Sequence, residues 1–249
     1  MPAIEISLKA EPLFTIGSFT VTNSLFLAFI TSLVLAFIAL YLRKGLKEVP
    51  GKLQNLFEIF IEGVLSLMDS VLYKREKSEK YFPLVATIFL FVMISNWMGL
   101  LPGVGSIGLH GISEGHETFT PLFRAPAADL NFTLILAVLT VFTVNIAGAL
   151  VLGVRRHLGK FFTFKNPIYT FVGILEFFAE LAKIVSFSFR LFGNVFAGEV
   201  LLIIVGALVP YFVPLPFLAL EIFVGFIQAF IFSMLTLVFL AISTAEEAH

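Results

Sequence analysis

Ser186-Phe187-Ser188-Phe189-Arg190-Leu191-Phe192-Gly193-Asn194-Val195-Phe196-Ala197-Gly198-Glu199 sets an arginine, an asparagine and a glutamate inside an apolar run. The apolar flank continues to Val209, and no Lys or Arg follows Arg190. A cation at membrane depth costs roughly 2.5 kcal/mol or more on insertion scales, so a retained one is a functional residue by default. The rest of the chain says that this is membrane depth. Of its 249 residues, 59% are hydrophobic and 13% charged, with a mean hydropathy of +1.01. That charged share is about half the soluble norm. There is no Cys, which removes disulfide and thiolate chemistry. The 31 Phe suit lipid-facing surfaces without a cofactor. Residues 1–17 mix acids with Lys9 and lack a basic-then-apolar leader pattern, so no cleavable signal peptide is expected.

Working outward, the fold class expected is all-α: a single polytopic membrane domain over 1–249, with four to five spanning or embedded helices. Residues 1–23 read as extended or interfacial. The run 24–42 is long enough to span and ends at Arg43, Lys44 and Lys47, before the breaker Pro50-Gly51. In 52–73, Leu53, Leu56, Phe57, Phe60, Ile61, Val64, Leu65 and Met68 recur at helical spacing between polar residues. This predicts an amphipathic helix on the membrane surface. Lys74, Arg75, Lys77 and Lys80 follow, and Pro83 is expected in the first turn of the next helix. That helix spans over 84–101, with Asn96 and Trp97 near its far end, where Trp fits an aromatic belt. Residues 102–128 read as a loop. A second span covers 129–154 and ends at Arg155 and Arg156. Long helices are expected over 168–209 and 217–243, joined by a turn holding Pro210, Pro214 and Pro216.

The basic clusters at 43–52, 74–80 and 155–165 fall on one side when these spans alternate. The excess of Lys and Arg makes that side the cytoplasm. Only Lys9 and Arg124 then lie outside, with the N-terminus outside and the C-terminus inside. One missed span would have put a cluster on the wrong face.

At about 100° per residue, Asn194 lies one turn after Arg190 and Ser186 one turn before. Lys183 is about 20° away and Glu176 about 40° away. These residues form one polar stripe, kept low by Gly193 and Ala197 so that another helix can approach closely. Glu199 points about 180° from Arg190. Glu221 and Gln228, seven apart, share a face of the last helix. Polar residues at this depth persist where they line water or meet polar partners, so two stripes on opposite sides of an arginine suggest two wet paths with a cationic barrier between them. Arginine keeps its charge at working pH; it attracts a carboxylate and blocks a cation. Partly buried carboxylates such as Glu199 and Glu221 suit proton relay. The alternative is local pairing: Glu176, Glu180 and Lys183 are three and four residues apart and can form an ion network, whereas Arg190 has no carboxylate one turn away. Gln228 could equally be interhelical glue.

On these residues the chain resembles subunit a of the rotary F-type ATP synthases. The match takes in 186–199, Gln228-Ala229-Phe230-Ile231-Phe232, Leu235-Thr236-Leu237-Val238-Phe239-Leu240, Glu246-Glu247, Pro126-Ala127-Ala128-Asp129-Leu130-Asn131 and Ser95-Asn96. The resemblance implies a membrane stator whose two long tilted helices face a rotating ring of c subunits. It implies that Arg190 separates two aqueous half-channels and releases the proton from the ring carboxylate. Glu199, Glu221 and Gln228 match outer half-channel positions. Ser186, Asn194 and Glu176 match the inner exit, and Asp129, Asn131 and Asn96 an outer polar patch. The c-ring, the b subunits of the peripheral stalk, the remaining synthase subunits and the lipid are the implied partners, with no nucleic acid, no cofactor and no metal. The chain itself is expected to be non-catalytic, and the location implied is a bacterial plasma membrane, with a thylakoid membrane as the alternative. Three positions depart from other members: Glu221 replaces a His of some relatives, Phe239 a Tyr, and Gly99 an Asp. The first would make the outer relay a carboxylate pair that titrates together. That titratable pair favours protons as the coupling ion, although a sodium machine could use the same pair.

Two other classes fit less well. A stand-alone transporter with broken helices predicts inverted repeats, and no repeat is read in the chain. An intramembrane metalloenzyme needs His and carboxylate at metal spacing; His110 and His116 read as solvated loop residues, and no His-Glu-x-x-His run exists.

Overall fold

The computed structural model describes residues 10–45, 47, 49–101, 103–105, 107–113, 116–159, 167–209 and 212–245. The chain runs β1 (Pro12–Ile16), β2 (Phe19–Thr22), α1 (Asn23–Gly45), α2 (Lys52–Leu72), α3 (Arg75–Gly99), β3 (Gly108–Ser113), β4 (His116–Pro121), α4 (Leu130–Leu152), α5 (Val154–Gly159), α6 (Pro167–Leu208) and α7 (Pro214–Ser243). Among the described residues, α1, α3, α4, α6 and α7 are long and apolar enough to cross a membrane. The architecture is that of an all-α polytopic membrane protein. It has two small antiparallel hairpins, β1–β2 and β3–β4.

With 42 residues, α6 is about 63 Å long at 1.5 Å per residue, twice a hydrocarbon core of about 30 Å, so it must tilt or extend beyond that core. α7, with 30 residues, is about 45 Å long.

α3, α4, α6 and α7 pack around one core of Val92, Ala137, Leu191 and Ala229, each at most 1% exposed. Small residues let the helices close on one another. A Cβ on Gly225 would sit 3.2 Å from Asn96 Cβ, and one on Gly148 would strike the Ser243 hydroxyl. Phe187 fills the α6–α7 seam edge-on to Phe232, with centroids 4.7 Å apart, a favoured aromatic geometry. Leu65, Met68 and Leu72 of α2 are buried, Met68 and Leu72 in a second cluster with Tyr81, Val85, Val144, Leu237 and Leu240. In its first half Leu53, Leu56 and Ile59 stay exposed, as expected of a helix lying in an interface, while Phe57 and Phe60 are half-buried and Phe60 stacks on Phe89.

Two helix starts and one loop differ from the sequence expectation. α3 begins at Arg75 and carries Pro83 in its interior, so the basic cluster is its first turns. Pro83 has no N–H for the carbonyl of Glu79, a local defect that the helix absorbs. α7 begins at Pro214, whose ring suits a first turn because the N–H it lacks would be unpaired there; Pro214 and Pro216 are helical rather than in the preceding turn. The region read as a loop at 102–128 contains the β3–β4 hairpin and a short 3-10 turn, Pro126–Ala128.

Candidate functional site

The Ser-Phe-Ser-Phe-Arg run divides its side chains by helical position. Ser186, Phe189, Arg190, Gly193, Asn194 and Ala197 are exposed, while Phe187, Ser188, Leu191, Val195 and Gly198 are buried. Ser188 shares a hydrogen bond with Thr133 of α4 at 3.1 Å, which fixes the roll of α6. Arg190 Nη2 donates to Ser186 Oγ at 3.3 Å, and Asn194 Nδ2 donates to the Arg190 carbonyl at 3.0 Å. Among the described residues Arg190 makes no ion pair. A Cβ on Gly193 would meet nothing within 4 Å. α6 is also the least covered span, with 11% of its apolar stretch buried against 39% for α3 and α7. An unpaired cation therefore stands on a low, uncovered helix face, which is where a partner carboxylate could reach it.

The opposite side of α6 opens into a cavity of about 490 Å³, lined by Asn23, Asn96, Arg124, Glu199, Glu221 and Gly225 among others. Arg124, 7% exposed, pairs with Glu199, its Nε 3.4 Å from Oε1 and its Nη2 3.4 Å from Oε2. Glu221, 8% exposed, lays its carboxylate over Gly198, where any Cβ would collide with it. Around it α3 is bonded to α7: Asn96 Nδ2 donates to the Gly225 carbonyl at 3.3 Å, and Trp97 Nε1 to that of Ile222 at 3.0 Å. The hairpins close the same end. Asn23 Nδ2 donates to the Pro121 carbonyl at 3.2 Å, and Gly99 packs on Ala125, too close for any side chain there.

Of the residues singled out from sequence, Asn96, Glu199 and Glu221 come together in this cavity, and Ser186, Arg190 and Asn194 on the exposed face. Glu176 is half-buried about four turns before Arg190. Gln228 is buried two turns beyond Glu221 and does not line the cavity. Asp129 caps α4: its Oδ1 accepts from the Asn131 backbone N–H at 3.0 Å, its Oδ2 from Ser24 Oγ at 2.8 Å, as an N-cap should. The Asn131 side chain is exposed, and neither Asp129 nor Asn131 lines the cavity. The local pairing weighed from spacing is present for Lys183 and Glu180, 2.5 Å apart, and excludes Arg190. Sequence reasoning gave no site role to Arg124, Gly198 or Asn145. Arg124, a cation two residues before the Pro126–Asn131 run, carried the only local signal.

A family model described as ATP synthase A chain matches residues 24–241. The chain is 36% identical over 224 residues to an ATP synthase subunit a of Campylobacter jejuni (serotype O:6), covering 88% of this chain and 89% of that one. It is 36% identical over 226 residues to ATP synthase subunit a 1 of Syntrophotalea carbinolica, covering 89% and 85%. With Campylobacter fetus ATP synthase subunit a the identity is 34%, covering 88% of each chain. A match running through the arginine helix, the cavity and the last helix makes the chain a member of the ATP synthase A chain family.

Proposed function

We propose that the chain is the membrane stator subunit of an F-type ATP synthase, coupling proton flow to rotation of a c-ring through two offset half-channels. The observation that carries the reading is Arg190, an unpaired cation on the uncovered face of α6, with the Glu199–Glu221 cavity on the other side of the same helix.

A ring carboxylate arriving from lipid meets Arg190 first. At about 4 Å and an effective dielectric of about 20, the attraction is about 4 kcal/mol, enough to favour the ionised form by orders of magnitude and expel the proton. Released protons leave along Ser186, Asn194 and Glu176. The cation bars them from crossing directly to the other path. On that side Glu199 and Glu221, with Asn96, hand protons to the next empty ring site, and Gln228 serves the same outer path. The chain makes and breaks no covalent bond itself; the nucleotide chemistry belongs to other subunits. The b subunits of a peripheral stalk hold it against rotation. In a bacterial plasma membrane the basic end of α1, the start of α3 and the basic α5 face the cytoplasm, with the N-terminus outside and the C-terminus inside.

The test is ATP-driven acidification of inverted vesicles carrying the complex, with and without Arg190→Ala, in sodium-free and sodium-containing buffer. Loss of pumping in an assembled complex is expected, with no sodium requirement in the parent. Retained pumping overturns the reading.

A further inference from the structure

Lys183 stands two turns before Arg190 on nearly the same face of α6. On the reading above, a proton released at Arg190 and travelling toward Glu176 passes this lysine about 10 Å on. A free ammonium there would be a second barrier, placed in the exit. The surrounding side chains prevent that. Lys183 Nζ lies 2.5 Å from Glu180 Oε1 and 4.7 Å over the Phe239 ring of α7. The other oxygen of Glu180 accepts from Asn145 Nδ2 of α4 at 3.1 Å. Asn145 Oδ1 is in turn 3.1 Å from His157 Nε2 of α5. The pair is part-buried, with side chains 28% and 21% exposed. Four helices thus converge to hold one carboxylate against one ammonium, while Arg190 is left unpaired on the same helix.

We propose that Glu180, oriented by Asn145, is a positioning residue that cancels the charge of Lys183 and keeps the exit path free of a second cation. The inference rests on Arg190 being the cation that meets the ring carboxylate. Its chemistry is electrostatic: the amide of Asn145 fixes Glu180, and Phe239 holds the ammonium away from the exposed stripe.

The experiment uses the whole ATP synthase in inverted vesicles, with assembly scored on native gels, and compares Glu180→Gln, Lys183→Gln, the double variant and Arg190→Ala. Glu180→Gln is expected to slow pumping about tenfold, the effect of one unit charge at about 10 Å in an effective dielectric near 20. Lys183→Gln should pump nearly normally, and the double variant should recover most of the lost rate. Normal pumping by Glu180→Gln, or a double variant as slow as Glu180→Gln alone, overturns the inference. If Glu180→Gln does not assemble, assembly and pumping by the double variant support it, and their loss overturns it. Arg190→Ala separates the two levels: pumping retained there removes the parent reading, whereas pumping lost there beside an unaffected Glu180→Gln removes this inference alone.

Discussion

The carboxylate of Glu221 occupies the space that a side chain at residue 198 would need. Glycine at 198 thus makes room for the Glu221 carboxylate, although it carries no polar atom of its own beyond the backbone. Gly198→Ala is expected to assemble, because the colliding group is the flexible end of Glu221 and can swing aside. Displacing that group by an ångström or more should cut pumping by roughly one to two orders of magnitude. Vesicle acidification beside a native gel checks both halves.

Arg124 and Glu199 form the one ion pair of the cavity seen among the described residues. Removing one partner of a buried pair costs about 3–5 kcal/mol. Glu199 is 32% exposed, so water screens part of this and about 1–3 kcal/mol is the expected loss for Arg124→Gln. Thermal melting in detergent should show a lowered midpoint, partly restored in Arg124→Gln/Glu199→Gln. Equal midpoints in parent and single variant would mean that the pair contributes nothing.

Trp97 is the only tryptophan, and its indole N–H is bonded to α7 beside the cavity. Gly225→Val would press on Asn96 Cβ and Trp97 Cδ1, which a Cβ at 225 already approaches to 3.2 and 3.6 Å. Loss of the two α3–α7 hydrogen bonds should cost about 1 kcal/mol each and change the Trp97 emission. An unchanged spectrum would show that α3 yields without losing contact.

At the α2–α3 corner, Arg75 reaches Glu62, Asp69 and Glu79 at 2.8, 2.9 and 3.2 Å. Ser78 and Arg75 hold the Asp69 carboxyl below its ordinary value. A depressed carboxylate contributes stability above its unfolded value and loses it as pH falls through the folded one. The protection factor of the Tyr73 amide, which bonds the Asp69 carbonyl at 2.9 Å, should therefore fall as pH drops below the usual carboxylate range, once the slower intrinsic base-catalysed exchange at low pH is divided out. Asp69→Asn should flatten that dependence.

Length and hydropathy made the spans legible, because a bilayer demands about twenty apolar residues whatever packs around them. The 100° arithmetic separated Arg190 from Glu199 for the same reason: helical phase is local. Prolines misled at helix starts, since Pro83 was read as a first-turn residue and the structure continues the helix through it. The β3–β4 pairing was hidden in a run with no clear alternation. Arg124, Gly198 and Asn145 were harder still. Their roles come from neighbours 75, 23 and 35 residues away, and nothing in the local sequence names those neighbours. Asp129 shows the converse. A carboxylate beside the cavity region in sequence proved to be committed to capping α4.

α6 is unbroken from Pro167 to Leu208, so the exposed Arg190 and the Arg124-bound Glu199 are mounted on one stiff axle, half a revolution apart. Rolling that axle to press Arg190 outward would drag Glu199 off Arg124, and rolling it back would reseat both. Arg190 and Glu199 therefore cannot be reoriented separately by a roll of the helix. The Thr133–Ser188 bond helps set that roll, and losing it would free both side chains together.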